Sequence, residues 1–449
     1  SILSFHALAD MQTAYQAAQK KDYPLAAKHF QQSANLGHAK AQNVLAQLHL
    51  HGAGVEKNPV LTYVYFALSN EQAPSEKSKQ AASAAFARLN KEQQKLAQQT
   101  LTQYQQKIGK TVLSEQIMPI LANNPFILIP AEMVRGSKSV SQSPFTVSKV
   151  KLSSAILEYD IAPDGSIQDV GVAYSYFSSD KLLQDMMRST YNGKFAQKQQ
   201  QGYQENRIED QRSIWAQLDV NKAAIKDDAK NFYKHLTQLE TLAAKGNANA
   251  QYELGMYIIA FPSLNTNQIK AVEYMKKAAD GGHANAAAEY AYYLFKGEGV
   301  KQDFATGLNY LVSAAKDGNA RAQYRLGREF LSGQIIKKDH KKAIFWLQQA
   351  ENAGDKNATF WLARTLLEQE NIQPTEINLA QTLLKKSEKS QEINPNWHYY
   401  VSQAELAQNN VANAVKSLNE AIDVASDFEW DVSKWQAELA QLQQAKQGA

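Results

Sequence analysis

The chain has 449 residues, of which 44% are hydrophobic and 20% charged, and its formal net charge is +4. This length is too great for a single compact core and predicts about two to four folding units. The balanced charge argues against a nucleic-acid-binding protein, and the absence of cysteine excludes disulfides, thiolate metal ligands and a cysteine nucleophile. No apolar stretch reaches the roughly 18–20 residues that a membrane-spanning helix needs.

Residues 1–110 are predicted to form helical hairpins closed by capping helices. The phrase "HAKAQNVLAQLHLHGAGV" begins at His38 and carries the small and apolar residues of closely packed helices. Two further helices follow and are broken near Asn90, where Asn90 and Gln93 fit a capping box. This pair of helices would close the first array.

Residues 111–222 change in character, because Val, Ile, Tyr and Phe become more frequent. The stretches "AILEYDIA" and "SIQDVGVAYSYF" alternate with period two on either side of Pro163–Gly165, which predicts a β-hairpin. A helix with Ser179 or Asp180 as its N-cap follows, and a third strand is predicted at 212–220. The order of elements is therefore β-β-α-β.

This segment resembles the C-terminal domain of TonB-type energy transducers. The resemblance is carried by Pro130 and Ala131, by "LEYDIAPDGSIQDV" and by "LLQDMMRSTYNGKF". It implies a small α+β domain whose last strand is an exposed edge to which a partner strand docks. The alternative is that a repeat array or the 195–210 loop covers this edge. The candidate edge residues are Arg212, Ile214, Ala216 and Leu218.

Residues 223–395 contain a repeat of constant length. Its copies start at Asn247, His283, Asn319 and Asp355, which are 36 residues apart, and a glycine precedes each start. Apolar residues at i, i+4 and i+8 give each helix one apolar stripe, and the glycine would end the second helix in the left-handed conformation. One such hairpin cannot bury its own apolar face, so the copies are predicted to stack as a solenoid.

The repeat resembles the Sel-one-like repeat, a relative of the tetratricopeptide repeat. The resemblance is carried by the small–Ala–x–Ala phrase, the Leu-Gly pairs and the "GxGV" loops. It implies a mainly α fold, an α-α solenoid that serves as a protein assembly platform and is interrupted by the small α+β domain. Residues 396–449 fit a tetratricopeptide-like hairpin followed by a C-terminal capping helix.

One face of the first helix in each repeat carries aromatic and basic residues outside the apolar stripe. In a solenoid that face lines the concave surface, and Tyr and Arg are frequent anchors for a bound peptide. The alternative is a face that is merely solvated. The candidate residues are Tyr252, Met256, Tyr292, Tyr324, Arg325 and Arg328.

The sequence predicts no catalytic residues, metal ligands or cofactor. The glycine loops Gly52–Val55 and Gly297–Val300 do not follow a strand, so neither fits a phosphate-binding loop. His49 and His51 do not share a helix face, which argues against a metal site. Asp160 and Asp164 flank a turn, where Asp is common, and are not predicted to form a hydrolytic pair.

These features together predict a non-catalytic scaffold or adaptor of the bacterial cell envelope. It would bind a protein or peptide partner through the concave array, the sheet edge or both, without nucleic acid and without an integral membrane segment in this chain. The alternatives are a TonB-like accessory to outer-membrane transport, and an enzyme. The chain starts at Ser1, so a signal segment is expected to have been removed and a periplasmic location is expected, with the cytoplasm as the alternative.

Overall fold

The computed structural model describes residues 11–136, 152–176, 178–196, 207–218, 227–262 and 268–447. The N-terminal helices are α1 (Met11–Gln19), α2 (Tyr23–Asn35), α3 (Ala39–His51), α4 (Pro59–Gln72), α5 (Glu76–Ala87), α6 (Lys91–Ile108) and α7 (Lys110–Gln116). The elements of the sheet region are β1 (Met133–Arg135), β2 (Leu152–Ile161), β3 (Ile167–Tyr176), α8 (Asp180–Tyr191), β4 (Lys194–Phe195) and β5 (Ile208–Leu218).

Helices resume after the sheet region. The repeat helices are α9 (Asp227–Ala244), α10 (Ala248–Ala260), α11 (Gln268–Asp280), α12 (Ala284–Lys296), α13 (Phe304–Lys316), α14 (Ala320–Ser332), α15 (His340–Asn352), α16 (Lys356–Leu367) and α17 (Pro374–Gln391). The C-terminal helices are α18 (Pro395–Ala407), α19 (Val411–Asp427) and α20 (Ser433–Gln447). The fold is mainly a helical repeat with a small antiparallel sheet region inserted in it, as the sequence predicts.

The chain divides into two compact units, and each draws on two separate stretches of sequence. Unit 1 comprises Ser1–Pro125 and Met275–Asp355, and unit 2 comprises Phe126–Tyr274 and Lys356–Ala449. The predicted segments 111–222 and 396–449 therefore both contribute to unit 2. The sequence alone placed these two segments in separate domains, with 223–395 between them.

The helix ends explain why the repeat has a fixed frame. Asn247, His283 and Asn319 are the N-caps of α10, α12 and α14, and each side chain accepts a hydrogen bond from the backbone N–H three residues later. His38 caps α3 in the same way. The glycines that precede the repeat starts all have positive φ, between 84° and 90° for 246, 282, 318 and 354. The predicted capping box of Asn90 and Gln93 is also present.

The N-cap of α12 makes the stability of unit 1 dependent on pH. His283 is buried, and this burial lowers its pKa from 6.5 to about 4. The unfolded chain takes up this proton below pH 6.5, whereas the folded chain stays neutral until about pH 4, so stability falls as the pH falls through this window. At 1.36 kcal/mol per unit, we expect a loss of about 3 kcal/mol.

The matched variant is His283→Asn, because Asn247 and Asn319 fill the same position of the frame and keep the cap. We expect the variant to gain stability relative to the wild type as the pH is lowered from 7 to 4.5, measured as the free energy of unfolding in urea. A difference between the two proteins that is the same at both pH values would contradict the assignment.

The sheet has the order β3-β2-β5, with β2 antiparallel to both neighbours. The predicted order β-β-α-β is confirmed, and the third strand begins at Ile208, before the predicted start at 212. Ser179 caps α8 as predicted. A separate two-stranded sheet joins β1 to β4, with Met133 opposite Phe195.

The core beneath the sheet combines residues that are far apart in sequence. Side chains at alternate positions of β2, such as Leu157 and Tyr159, belong to one buried cluster with Tyr191 of α8. The same cluster contains Phe428 and Trp430, which follow α19. The sheet region and the C-terminal helices therefore share one hydrophobic core within unit 2.

Candidate protein-binding surfaces

The two outer strands of the sheet differ in what covers their free edges. On β3, the Asn357 side chain donates a hydrogen bond to the carbonyl of Val172 at 3.2 Å. The N–H of Val170 donates to the Tyr191 hydroxyl at 3.0 Å. These side chains occupy main-chain groups of β3 that a further strand would use.

Gly171 permits this close contact, since a Cβ at this position would lie 2.6 Å from the amide oxygen of Asn357. A glycine within a strand often marks such an approach of another element.

On β5, in the part of the chain that the structure describes, β2 is the sole neighbouring strand. Residues 209–215 of β5 are half-buried, whereas β2 is buried along the part whose side chains are described. Among the described strands β5 is thus an outer strand of the sheet, and the exposure of its free edge stays a prediction. Of the 195–210 loop that was predicted as a possible cover, residues 197–206 lie outside the described residues, so the alternative of a covered edge stays open.

The faces of β5 have different surroundings. Trp215 packs against the shared core, and its indole N–H donates to the Thr190 hydroxyl of α8 at 3.1 Å. Arg212 lies on the opposite face and forms an ion pair with Glu158 of β2 at 2.9 Å. On that face, Ser154 of β2 donates to the carbonyl of Ala260 in α10 at 2.6 Å. Both faces of the sheet are therefore covered within unit 2.

The predicted edge residues fall into two groups. Arg212 and Ile214 are half-buried in β5. Ala216 and Leu218 pair with Ser154 and Leu152 through the backbone register. The side chains of Ala216 and Leu218 lie outside the described part of the structure, and the role of all four residues in binding stays a prediction.

A buried polar cluster around Asp169 holds β5 against the C-terminal helices. We call Asp160, Asp169, Arg207, Arg364, Asn394 and Asn396 the Asp169 cluster. One carboxylate oxygen of Asp169 accepts from Arg207 at 2.5 Å and from Arg364 at 3.0 Å. The other oxygen accepts from Asn396 at 2.9 Å and from Asn394 at 3.3 Å.

Arg207 directly precedes β5 and also contacts Asp160 of β2 at 3.3 Å. The cluster therefore fixes where the edge strand begins.

Arg364 is the basic centre of this cluster on α16. Its guanidinium lies over the rings of Trp361 and Tyr400, at 4.5 Å and 5.2 Å from their centroids, and bonds Glu368 at 2.8 Å. Burial by itself would lower the pKa of Arg364, but Tyr400, Glu368 and Asp169 outweigh this and raise it. The guanidinium group therefore stays charged although it is buried.

This cluster was not predicted from the sequence, where its one signal is an Asp within a strand pattern; the structure adds further unusual features. Asp is disfavoured inside strands, yet Asp169 interrupts the second strand of the hairpin and adopts a positive φ of 51°. Asn394 and Asn396 flank Pro395 at the start of a helix and are both buried, which is unusual for Asn outside a hydrogen-bonded network.

The candidate residues of the concave array are not exposed. Tyr252, Met256, Tyr292, Tyr324 and Arg325 are between 1% and 9% exposed, and Arg328 is half-buried. The first helix of a repeat is an inner helix: in α12 every residue from Ala286 to Phe295 is buried. The expectation that these side chains line an open concave surface is therefore wrong, while their role in binding a partner stays a prediction.

In unit 1 these aromatic and basic residues tie one repeat to the next. Arg325 of α14 pairs with Glu289 of α12 at 3.0 Å and donates to the carbonyl of Ala288 at 2.7 Å. Its guanidinium lies 5.3 Å from the centroid of Tyr292. Arg328 donates to the hydroxyl of Tyr324 at 3.0 Å. A contact between stacked repeats therefore accounts for Tyr292 and Arg325, whereas the bond between Arg328 and Tyr324 lies within α14.

Two searches of the described residues bear on other kinds of site. Among the helices that the structure describes, none combines the length and apolar character needed to cross a membrane. The described ranges also bring together no group of three or more His, Asp or Glu side chains that could hold a metal ion.

Comparison with known proteins identifies the repeats. The model of the Sel1 repeat matches residues 8–38, 39–73, 248–283, 284–319 and 320–355. Sel1 repeats form helical scaffolds that typically bind proteins and are generally not catalytic. The match covers the repeats alone, so the TonB-type identity of the sheet region stays a prediction. No curated protein matches the chain.

Three solved structures are similar to the chain over most of its length. A Sel1 repeat protein from Oxalobacter formigenes is 15% identical over 96% of this chain and 82% of its own, with a TM-score of 0.36. The protective antigen c5321 of uropathogenic Escherichia coli, which displays an SLR fold, is 14% identical over 97% and 80%, with a TM-score of 0.37. Yeast Tom70 is 14% identical over 93% and 76%, with a TM-score of 0.28.

Proposed function

We propose that the chain, five segments of which match the Sel1 repeat, is a non-catalytic protein-binding scaffold of the bacterial cell envelope. Within this function, we assign the sheet edge on β5 as the place where an extended segment of a partner protein adds as a further strand. The supporting observation is the contrast between the two edges: Asn357 and Tyr191 block β3, whereas no described strand flanks the outside of β5.

Strand addition suits this edge for a physical reason. Along an antiparallel edge strand, alternate residues direct their N–H and C=O groups away from the neighbour, and a partner strand pairs with those groups. The edge of β5 is held in place by the Asp169 cluster at its start and by Trp215 in the core. An edge fixed in this way is preorganised, which lowers the cost of ordering on binding.

Hydrogen exchange tests whether the edge is open. We expect the amides of residues 208–218 to alternate between slow and fast exchange in the free protein, because every second N–H would point to solvent. Mass spectrometry with residue-level fragmentation would resolve the alternation. The central strand β2, which is bonded on both sides, is the internal control. Uniform slow exchange along β5 would mean that another segment covers the edge.

A pair of proline variants then tests the edge as a binding site. Ser213 and Ile214 are adjacent in β5, so one N–H points to β2 and the other away from it. Ser213→Pro and Ile214→Pro are made as separate variants. The one that removes a hydrogen bond to β2 should lose stability, so the variant that is as stable as the wild type carries its proline on the outer edge. We expect this variant to lose the partner that the wild type captures from an envelope fraction.

If the outer-edge proline variant still captures the partner and Arg328→Ala does not, binding would be assigned to the concave array instead. In a second capture from a whole-cell lysate, a cytosolic protein bound in place of an envelope protein would contradict the proposed location.

A further inference from the structure

An extended segment of unit 1 lies on the last repeat of that unit. We call residues 117–122, which follow α7, the strap. Leu121 of the strap forms an antiparallel bridge with Ile336. The N–H of Ala122 donates to the carbonyl of Ile335 at 2.9 Å, and the N–H of Lys337 donates to the carbonyl of Ile120 at 2.9 Å. The strap is therefore bound as a short β-strand is bound by a sheet edge.

Two buried side chains of α15 bind the other end of the strap. The indole N–H of Trp346 donates to the carbonyl of Ile117 at 2.8 Å, and the ammonium group of Lys342 donates to the carbonyl of Met118 at 2.8 Å. Trp346 is fully buried and Lys342 is 9% exposed. These four hydrogen bonds all use main-chain atoms of the strap, so the surface recognises an extended backbone rather than particular side chains.

The loop that receives the strap departs from the other repeats of its kind. In the loops at 52–55 and 297–300, the second glycine, Gly54 or Gly299, has a positive φ. The equivalent position in the loop after α14 is Ile335, a β-branched residue that does not adopt a positive φ. This exchange keeps residues 335–337 available for an antiparallel bridge.

The position of Trp346 is likewise distinct. The equivalent residue of the preceding repeat is Tyr310, which donates to Asp280 of its own neighbourhood rather than to an extended segment. Tyr310 and Trp346 occupy the same position of the 36-residue frame. The indole N–H of Trp346 instead donates to the main chain of the strap, which lies outside the repeat that contains Trp346.

We propose that the surface formed by residues 335–337, Lys342 and Trp346 is a binding site for an extended apolar peptide of another protein, and that the strap fills this site in cis. The strap shows what fits: a buried apolar side chain at Ile117, followed by main-chain groups in an extended conformation. Beyond Ile117 the strap side chains are half-buried, and that of Ile120 is 56% exposed, so none of them is as deeply buried as Ile117. An incoming segment can remake the same four hydrogen bonds.

Because the strap already occupies this surface, a partner must bind tightly enough to displace it. A tethered segment competes at an effective concentration on the order of millimolar, so a peptide binds the intact protein weakly and a protein with a weakened strap more tightly. This site lies in unit 1 and is independent of the β5 edge in unit 2.

The test uses a labelled peptide of residues 115–124, EQIMPILANN, and fluorescence anisotropy. The variant Ala122→Pro removes the N–H that donates to Ile335 and weakens the strap in the full-length protein. We expect it to bind the peptide at least about tenfold more tightly than the wild type. Adding Trp346→Phe should weaken this binding about fivefold through loss of one hydrogen bond. A peptide with proline at the position of Ala122 is the control.

Equal binding to the wild type and to folded Ala122→Pro, or binding to neither, would overturn the proposal. A dimer of Ala122→Pro detected by light scattering would also overturn it, because the surface would then join copies of this chain. If Ala122→Pro does not fold, hydrogen exchange on the wild type decides the matter. Saturating peptide should speed exchange at Ala122 and leave Lys337 protected, and no change at Ala122 would overturn the proposal.

Discussion

Replacing Asp169 with alanine is expected to lower the free energy of unfolding of unit 2 by about 3–5 kcal/mol. The reason is that its carboxylate is the common partner of Arg207 and Arg364, and the side chain of Arg364 is only 13% exposed. Without Asp169 the two guanidinium groups face each other in a poorly solvated site, and the amides of Asn394 and Asn396 lose an acceptor. Urea unfolding followed by circular dichroism would measure the loss.

The matched control is Asp180→Ala. Asp180 also pairs with a basic residue, Lys389 at 3.2 Å, but both side chains are more than 80% exposed. Exposed pairs of this kind contribute little to stability, so the control should be close to the wild type. Equal effects of the two substitutions would show that the Asp169 cluster does not stabilise the fold.

The same substitution links the cluster to the candidate site. Arg207 bonds Asp169 immediately before β5 begins, so release of Arg207 should loosen that strand first. Hydrogen exchange in Asp169→Ala should therefore rise more at residues 208–211 than at 215–218, where Trp215 still packs in the core. This gradient separates a positioning role of the cluster from a uniform loss of stability.

The repeats could be predicted because their signals are local. A cap at Asn247, His283 or Asn319 and a glycine of positive φ are specified within one repeat, and the constant spacing multiplies the signal. The hairpin of β2 and β3 has the same origin in the period-two pattern around Pro163–Gly165. These elements depend on residues a few positions apart, which a sequence displays directly.

The contacts that shape the candidate sites could not be predicted, because they join distant residues. Asp169 is separated from Arg364 by 195 residues and from Asn396 by 227. The carbonyl of Ile117 lies 229 residues before the indole that binds it. The burial of Tyr292 and Arg325 was not predicted for the same reason. An apolar stripe indicates that one face of a helix is buried, but not how many other helices pack around it.

Replacing Phe428 with alanine is expected to destabilise the sheet by about 3–5 kcal/mol, although Phe428 lies in the C-terminal segment. Its ring is 3% exposed and stacks on Tyr191 of α8, with the centroids 4.8 Å apart and the planes at 17°. Tyr191 in turn belongs to the cluster that contains the alternating side chains of β2. Loss of the ring therefore opens a cavity under the sheet.

Hydrogen exchange of β2 and β3 should report this cavity directly. We expect their amides to lose protection in Phe428→Ala, more than 200 residues away in sequence from the substitution. Phe126→Ala is the control, because Phe126 belongs to the same unit and is 43% exposed. Unchanged protection in Phe428→Ala would mean that the sheet folds on its own, as a self-contained TonB-type domain would. Loss of protection would mean that the edge offered by β5 exists only while the C-terminal helices are docked beneath it.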